Sequence, residues 1–250
     1  MKKKISITIE DRFLKYIDSL IDNSKIKNRS QAIESIVKNF LEVEKKAIIL
    51  AGGSESVLRY KNTYKPLMKI EGKEIIKNTV EILSKYGVKE VIIATPIANK
   101  IIPLFNDMQN VNFVYIDDNC SGTAGAVKLC EKYINSDFFV VASDIYFDFD
   151  LNKMMMFHKS HGGLVTIAIT TTRLNESKDQ IEFEGNKVIK FDYGSRERTF
   201  SINAGIYAMS PKIFEILPRK GSLEKDVFPK LTSEGKIYAY NFSGKWIHIA

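Results

Sequence analysis

The sequence predicts an α/β protein with two parts, a β-α-α unit over residues 1–44 and a mostly parallel sheet flanked by helices over residues 46–250. Hydrophobicity alternates at the start of the chain and then repeats at helical spacing, which is typical of the smaller unit. Strand-like and helix-like segments alternate along the rest of the chain. With 250 residues, of which 44% are hydrophobic, the chain has enough apolar material to build both cores.

The first unit begins with strict alternation of polar and apolar residues over 4–9, which predicts a half-buried strand. Apolar residues at helical spacing over 13–21 and 32–41 predict two helices with a polar loop between them. Ser30 is predicted to cap the N-terminus of the second helix. A unit of this size with one unpaired strand cannot build a stable core alone, so we expect two copies to pair their strands antiparallel.

The paired strands would display Lys4, Ser6 and Thr8 of each copy on their outer face. A two-stranded ribbon fits the major groove of DNA, where such side chains reach the base edges. The stretch KKKISITIEDRFLKYIDSLIDNSKIKNRSQAIESIVKNFLE resembles ribbon-helix-helix DNA-binding domains, especially at NRSQAI. The resemblance implies that the three strand residues read bases. It also implies that Arg29 and Ser30 lie near the DNA backbone, at a positive helix end. The alternative is a dimerisation module that does not bind DNA.

The lengths of the apolar runs and the cysteine content indicate the cellular compartment. No apolar run approaches the roughly 20 residues needed to cross a bilayer, and the N-terminus lacks a signal-peptide pattern, so we expect no membrane association. Two scattered cysteines, Cys120 and Cys130, indicate a reducing cytoplasm.

His158 and His161 have metal-compatible spacing but no acidic or thiol companion, so a solvated turn is expected there. Of the net charge of +7, residues 1–46 carry +4, which suggests an anionic partner, although on charge alone a solvated surface is the better explanation.

The second unit starts after the charged join Val43-Glu44-Lys45-Lys46. Strands are predicted over residues 46–50, 90–94, 111–116, 138–142 and 164–170, with helices over 74–86 and 124–133. Ligands of such sheets bind beyond the carboxyl ends of the strands. Gly52-Gly53, Asp117-Asp118 and Asp144 each follow a predicted strand, so we expect them to share one edge. A glycine pair lets backbone N–H groups approach an anion, although by itself it is more often an ordinary turn.

Several motifs then follow in a characteristic order. They are LAGG at 50–53, KPL at 65–67 with GK at 72–73, SGTAGAV at 121–127, Asp144 after an apolar strand, INAGIYAMSP at 202–211, EKDVFPKL at 224–231 and WIHIA at 246–250. Together they resemble the sugar-phosphate nucleotidyltransferase family over nearly all of residues 46–250. The resemblance implies a Rossmann-like, GT-A-like domain that joins a nucleoside triphosphate to a sugar 1-phosphate and releases pyrophosphate.

The resemblance also implies residue roles on the nucleotide side. Gly52 and Gly53 would hold the phosphates with backbone amides, and Gly122 and Thr123 would line the base pocket. Lys65 would be a catalytic cation beside the phosphates. Outside this context, a surface lysine is the ordinary explanation for such a residue.

On the sugar side, Asn203 and Glu224 would face the sugar by the same resemblance. Asp144 would ligate Mg²⁺, the cofactor that the family uses, although an isolated Asp in this position is more often a turn or helix cap. A second metal-binding Asp is usual near the terminal tryptophan motif, and His248 occupies its place. Imidazole is a poor Mg²⁺ ligand, so any Mg²⁺ would be held weakly, mainly through the substrate phosphates.

Two further positions depart from the family pattern. After LAGG the family carries an arginine that stabilises the triphosphate, whereas this chain has Glu55-Ser56-Val57, with Arg59 two residues further along. A family lysine that meets the sugar phosphate is absent from Asp192-Tyr193-Gly194-Ser195, and Arg196 or Arg198 would have to compensate. Loss of one charged group that stabilises the transition state typically raises the activation free energy by about 3–4 kcal/mol.

These departures favour a DNA-binding transcriptional regulator whose larger domain binds a nucleotide, a sugar phosphate or a nucleotide sugar. The alternative is an active sugar-phosphate nucleotidyltransferase that is dimerised or autoregulated through its N-terminal domain. A third hypothesis is a structural dimer with a vestigial pocket. All three predict a homodimer or tetramer, and the first adds DNA as a partner of residues 1–44.

Overall fold

A computed structural model describes residues 5–22, 26–42, 45–118, 120–171, 178–195 and 201–249. Contacts divide the chain into two compact units, Met1–Val43 and Glu44–Ala250. Among the helices of the described residues, none is both long and apolar enough to cross a membrane.

The first unit is a pair of helices, α1 (Asp11–Ser19) and α2 (Arg29–Glu42). Ile17 of α1 and Ala32 of α2 are buried. The side chain of Asn28 accepts the backbone N–H of Gln31 at 3.0 Å, so Asn28 is the N-cap of α2 and the prediction of Ser30 at that position is wrong. The error is small because Asn and Ser cap helices by the same hydrogen bond.

The strand predicted over residues 4–9 is not formed in the single chain. Residues 5–10 belong to no strand, Ile5 is 76% exposed and Ile7 is 54% exposed, while Lys4 lies outside the described residues. Alternation of polar and apolar residues shows which side chains share a face, but a strand also needs a hydrogen-bonding neighbour. The structure therefore shows a helix pair, and a ribbon-helix-helix arrangement is not shown.

The second unit is a mixed α/β domain. Its strands are β1 (Lys45–Leu50), β2 (Arg59–Tyr60), β3 (Thr63–Tyr64), β4 (Lys69–Ile70), β5 (Lys73–Glu74), β6 (Val88–Ala94), β7 (Asn112–Ile116), β8 (Phe138–Ala142), β9 (Ile145–Asp148), β10 (Val165–Thr171), β11 (Lys178–Glu184), β12 (Lys187–Ser195), β13 (Ser201–Met209), β14 (Ile237–Asn241) and β15 (Lys245–His248). Its α-helices are α3 (Glu55–Leu58), α4 (Ile75–Lys85), α5 (Ala98–Ile101), α6 (Gly122–Leu129), α7 (Leu151–His161) and α8 (Phe228–Ser233). Short 3-10 helices span Lys65–Leu67, Ile102–Phe105, Glu131–Tyr133 and Pro211–Glu215, and a π-helix spans Leu223–Val227.

Nine strands of the described residues form one sheet in the order β10-β14-β12-β11-β13-β8-β1-β6-β7. The half around β1 is parallel, because β1 pairs with both β6 and β8 in that sense and β6 pairs with β7. In the other half β13 runs antiparallel to β8 and β10, and β11 and β12 form an antiparallel hairpin. The prediction of a mostly parallel sheet is therefore wrong for this half. Consecutive strands joined by a short turn can pair antiparallel, and only two residues separate β11 from β12.

Hydrophobic residues cover both faces of the sheet. Ile49 and Val141 face one cluster, which includes residues of α4 and α7, whereas Ile48 and Val140 face the other, which includes residues of α6 and α8. Adjacent residues of a strand point to opposite faces, so a strand buried on both sides reads as a continuous apolar run. This three-layer core fixes the strand ends that carry the candidate site.

His158 lies inside α7 rather than in a solvated turn. The residue is 2% exposed, and its Nδ1 lies 2.9 Å from the Thr166 hydroxyl. Burial lowers the pKa of His158. The negative charge of Asp137 acts against this decrease, and the positive charge of Lys159 adds to it. The predicted turn is wrong because α7 continues to its C-terminal cap at Gly162, which has a left-handed backbone conformation.

We expect the larger unit to lose stability in mild acid through His158. The unfolded chain takes up the proton near the ordinary pKa of 6.5, whereas the folded chain does so only at lower pH. Stability therefore falls as pH decreases through 6.5, by at most about 1.4 kcal/mol per pH unit. Urea unfolding between about pH 7.5 and about pH 5.5, followed by the fluorescence of the single tryptophan, measures this slope. The slope should be shallower in His158→Gln, and an equal slope in both proteins would contradict the assignment.

Candidate functional site

Two adjoining cavities open at the carboxyl end of β1 and β8. The glycine-side cavity, about 350 Å³, is lined by Gly52, Gly53, Lys65, Asp118 and Gly122 among others. The larger cavity, about 580 Å³, is lined by Asp179, Tyr193, Asn203, Trp246 and His248 among others. The two cavities share Thr123, Ala142, Asp144, Tyr207 and Glu224. The predicted edge is therefore one continuous site.

The glycine turn after β1 is shaped by Asp118. A Cβ atom on Gly52 would overlap the Asp118 carboxylate, and Gly53 has a φ of +118°, which side chains rarely adopt. Asp118 is 2% exposed and accepts hydrogen bonds from the backbone and the hydroxyl of Ser121 at 3.0 and 2.5 Å. Asp118 therefore contacts both backbone segments that line the glycine-side cavity, and its Oδ1 accepts both hydrogen bonds from Ser121.

The start of α6 packs against the backbone of Gly221. Gly122 has a φ of +77°, and a Cβ atom there would overlap the Gly221 carbonyl oxygen. That oxygen accepts the Ala124 N–H at 3.0 Å, and the Gly221 N–H donates to Ser121 at 2.9 Å. Only glycine allows this close approach, so the loop that carries Thr123 is held at a fixed position in the site.

A hydrogen-bond network surrounds the Glu224 carboxylate. The hydroxyls of Thr123 and Ser222 each donate to Oε2 at 2.7 Å, and the Tyr207 hydroxyl donates to Oε1 at 3.2 Å. Asn203 donates from Nδ2 to the Tyr207 hydroxyl at 2.8 Å, and its Oδ1 accepts the Gly205 N–H at 2.9 Å. The network fixes the polar groups predicted to face a sugar.

Tyr207 is the buried centre of this network. Burial raises the pKa of Tyr207 well above its ordinary value, and the charge of Glu224 acts in the same direction. The hydroxyl therefore stays protonated and donates to Glu224 throughout the physiological pH range. Tyr207 lies in the INAGIYAMSP motif, but no sequence pattern distinguishes it there as a functional residue.

Asp144 lies between two cationic or basic groups. The Lys65 ammonium is 3.7 Å from Asp144 Oδ2, and His248 Nε2 is 3.5 Å from the same oxygen. Burial alone would raise the pKa of Asp144, but the hydrogen bond and charge of His248 and the charge of Lys65 outweigh it and lower the pKa. Asp144 is therefore an anion at neutral pH.

The terminal strand positions His248. Strand β15 pairs with β9 so that His248 is opposite Ile145, and the Ile249 N–H donates to the Asp144 carbonyl at 2.9 Å. Trp246 donates from Nε1 to the Ala204 carbonyl at 2.9 Å, and its ring lies nearly parallel to that of His248. Backbone pairing and the tryptophan therefore hold the imidazole at the carboxylate.

This donor pair fits Mg²⁺ poorly. Asp144 supplies carboxylate oxygen, whereas His248 supplies nitrogen, and Mg²⁺ strongly prefers oxygen. Within the described ranges, no group of three or more His, Cys, Asp and Glu side chains is arranged to hold a metal ion. The second carboxylate that the family resemblance leads one to expect is thus replaced by imidazole.

Arg59 lines neither cavity. Its guanidinium pairs with Glu55 at 3.0 Å and lies over the Tyr64 ring, so the arginine is engaged with its neighbours. Arg196 and Arg198 lie outside the described residues. Lys65 is consequently the cation that the described part of the chain places beside Asp144.

The predicted DNA-contacting residues belong to the N-terminal unit. Ser6, Thr8 and Ser30 are exposed, and Lys4 lies outside the described residues. Arg29 forms a two-point ion pair with Asp18, with distances of 2.6 and 2.9 Å. This hydrogen-bonded pair raises the pKa of Arg29 and lowers that of Asp18. The pair links the two helices, so the guanidinium has a structural partner within its own chain.

Comparison with protein-family models matches residues 46–249 to the family described as nucleotidyl transferase. The chain is similar to the mannose-1-phosphate guanylyltransferase catalytic subunit beta of Dictyostelium discoideum, with 30% identity over 217 residues, 82% of this chain and 60% of that protein. It is similar to the protein of the same name from Danio rerio, with 31% identity over 218 residues, 82% of this chain and 61% of that protein. The chain thus spans about 60% of the length of these relatives.

Among solved structures, HddC from Yersinia pseudotuberculosis is similar, with a TM-score of 0.69 and 28% identity, over 82% of this chain and 93% of that chain. HddC has also been solved in complex with GMP-PN. The family match begins at residue 46 and so leaves the N-terminal helix pair outside it.

Proposed function

Because the chain belongs to the nucleotidyl transferase family, we propose that it is an active enzyme that joins a nucleoside triphosphate to a sugar 1-phosphate and releases pyrophosphate. The observation that carries this proposal is the pair of adjoining cavities that share Thr123, Asp144 and Glu224. Two substrates that react directly must lie side by side, and a two-part site provides this arrangement. The activity replaces the regulator as the first hypothesis, because relatives with enzyme names match the larger unit.

We propose GTP and mannose 1-phosphate as the substrates. The support comes from the mannose-1-phosphate guanylyltransferases to which the chain is similar and from the GMP-PN complex of HddC. Other triphosphates and hexose 1-phosphates share the phosphate chemistry, so they belong in the same assay. We also propose a cytoplasmic setting, since Cys120 and Cys130 are both free thiols.

The glycine-side cavity suits the triphosphate. Gly52 and Gly53 line this cavity, and a glycine turn can present backbone N–H groups to an anion, with the Asp118 carboxylate packed beside Gly52. Gly122 and Thr123 begin α6 and line the same cavity, where the base would lie. Lys65 neutralises charge that develops on the transferring phosphoryl group.

The larger cavity suits the sugar. Glu224 accepts hydrogen bonds, and Asn203 offers an amide, so the two together suit the hydroxyl groups of a hexose. Their positions depend on Tyr207, which contacts both of them. No covalent enzyme intermediate is needed, because the sugar phosphate attacks the α-phosphate of the triphosphate directly and pyrophosphate leaves.

Replacing Tyr207 with phenylalanine should weaken sugar binding selectively. The variant removes one hydrogen bond to Glu224 and one from Asn203, which typically changes binding by about 1 to 1.5 kcal/mol, or roughly 10-fold in KM for the sugar 1-phosphate. The KM for the triphosphate should stay within about two-fold. Steady-state kinetics with each substrate varied in turn checks this. Tyr115→Phe, on the edge strand β7 and in the lining of neither cavity, is the matched control, and an equal effect in both variants would contradict the role of Tyr207.

Pyrophosphate release tests the proposed activity. The purified chain is incubated with each of the common nucleoside triphosphates and a panel of sugar 1-phosphates, with Mg²⁺, Mn²⁺ or Co²⁺ supplied. We expect release that depends on both substrates. Absence of release across the whole panel, from protein that binds nucleotide, would instead support a sensor.

A second candidate function, DNA-binding regulation, is favoured by one observation in the N-terminal unit. Ile5, Ile7 and Ile9 alternate with polar residues and are exposed, so their burial would require a second copy of the unit. Paired strands would then present Lys4, Ser6 and Thr8 to DNA, with Arg29 and Ser30 near its backbone. The resulting homodimer or tetramer is compatible with catalysis in the larger unit.

A gel-shift assay with the intact chain and its own upstream DNA tests this candidate. We expect sequence-preferring binding that weakens as salt increases, because phosphate contacts release counterions. Thr8→Ala should relax the sequence preference, whereas Thr63→Ala in the larger unit is the control. Equal binding to unrelated DNA of the same length would remove the candidate.

A further inference from the structure

The Asp144–His248 pair differs chemically from a pair of carboxylates. Asp144 and His248 bring an oxygen and a nitrogen within 3.5 Å of each other at the junction of the two cavities. Two ligands of one ion lie about 3 to 3.5 Å apart when each metal–ligand bond is about 2.1 Å long. The observed separation therefore suits joint coordination of one ion.

We propose that Asp144 and His248 form a divalent-cation site that selects transition-metal ions over Mg²⁺. The inference rests on the proposed function, because the cation of that reaction would lie beside the substrate phosphates. Imidazole nitrogen binds Co²⁺, Ni²⁺ and Zn²⁺ well, whereas Mg²⁺ prefers a shell of oxygen ligands. Water would supply the remaining ligands in the free chain, and substrate phosphates would replace some of this water in the proposed reaction.

Lys65 acts against any divalent cation at Asp144. Its ammonium lies 3.7 Å from the Asp144 oxygen, so its positive charge opposes a second cation at the same place. This repulsion would weaken the binding of an ion that is held by only one carboxylate. A nitrogen ligand that binds transition metals more tightly offsets it, whereas for Mg²⁺ the same nitrogen contributes little.

The placement of His248 suits a ligand rather than a passing contact. Backbone pairing of β15 with β9 and the anchored Trp246 ring hold the imidazole in place. A pre-positioned ligand loses little conformational entropy when the metal binds. The competing explanation is that His248 pairs with Asp144 in place of a metal ion. Metal titration distinguishes the two explanations.

Isothermal titration of the intact chain with Co²⁺ and with Mg²⁺, without substrates, tests the proposal. We expect Co²⁺ to bind at least about 10-fold more tightly than Mg²⁺ and to develop a visible absorption band typical of nitrogen ligation. His248→Ala should weaken Co²⁺ binding about 10- to 100-fold and leave Mg²⁺ binding nearly unchanged. His248→Asp should reverse the preference in favour of Mg²⁺.

His161→Ala is the matched control, because this histidine lies at the end of α7 and lines neither cavity. Equal affinity for the two metals in the native chain, or Co²⁺ binding that His248→Ala leaves unchanged, would overturn the proposal and support the ion pair. Because binding is measured without turnover, the result is independent of the proposed activity. A chain that binds Co²⁺ as expected yet releases no pyrophosphate would refute the function alone.

Discussion

Replacing Gly122 with alanine is expected to lower the proposed nucleotidyl transfer activity by at least about 100-fold. The residue has a φ of +77°, and the added Cβ would overlap the carbonyl oxygen of Gly221, which is backbone and already accepts the Ala124 N–H. The start of α6 must therefore move away, and Thr123 moves with it. A displacement of about 1 Å in a reacting site lowers the rate about 100-fold. We expect at least that loss in kcat/KM, with a decrease of about 2 to 3 kcal/mol in the free energy of unfolding.

Gly185→Ala is the matched control for this prediction. Gly185 also has a positive φ, +58°, but nothing lies within 4 Å of the position of its Cβ. It should lose only about 1 kcal/mol of stability through backbone strain and keep its activity. Urea unfolding and pyrophosphate release measured on both variants check the comparison. If Gly122→Ala were as active as Gly185→Ala, the close approach of the two glycine segments would not be required.

Replacing Lys65 with alanine is the second change with a large expected effect. Lys65 is the cation that the described residues place beside Asp144, which lines both cavities. Removing a preorganised charge that stabilises the transition state lowers kcat by about 100- to 1,000-fold. The fold should be unaffected, because the side chain is partly exposed and its contact with Asp144 is long.

Lys69→Ala controls for a general loss of positive charge. Lys69 lies on β4, is well exposed and pairs with Glu74. Its loss should change kcat by less than about two-fold. Steady-state kinetics at saturating substrates separates kcat from KM in both variants. A change confined to KM in Lys65→Ala would mean that the lysine binds substrate without acting in the transition state.

Local sequence patterns were sufficient to locate the glycine-side cavity. Gly52, Asp118 and Asp144 each follow a strand of the parallel half-sheet, and the structure places all three in that cavity. Parallel strands end at a common edge, so residues that directly follow these strands in the sequence are expected to lie near one another in space. The family match over residues 46–249 confirms the nucleotidyltransferase resemblance for the larger unit.

Contacts between distant segments could not be predicted in the same way. Thr123 and Glu224 are 101 residues apart, and their hydrogen bond depends on the antiparallel half of the sheet and on the π-helix that carries Glu224. The contact of His248 with Asp144 likewise depends on the pairing of β15 with β9. Periodicity reports burial along one segment and carries no information about which other segment it meets.

The N-terminal unit shows a different limit. Alternation over residues 4–9 predicted a strand, but residues 5–10 find no strand partner in one chain, and their isoleucines stay exposed. Strand formation is a property of a pair, so a pattern in one chain cannot establish it. The two helices needed no second chain, because each satisfies its own backbone hydrogen bonds.

Phosphorus NMR of the intact chain with GTP and mannose 1-phosphate tests the central claim most directly, because it observes both products at once. We predict that the signals of the nucleotide sugar and of pyrophosphate grow together while those of both substrates decline, and that Lys65→Ala slows this conversion strongly. Unchanged substrate signals, from protein that binds GTP in equilibrium dialysis and with each divalent cation supplied in turn, would contradict an active nucleotidyltransferase.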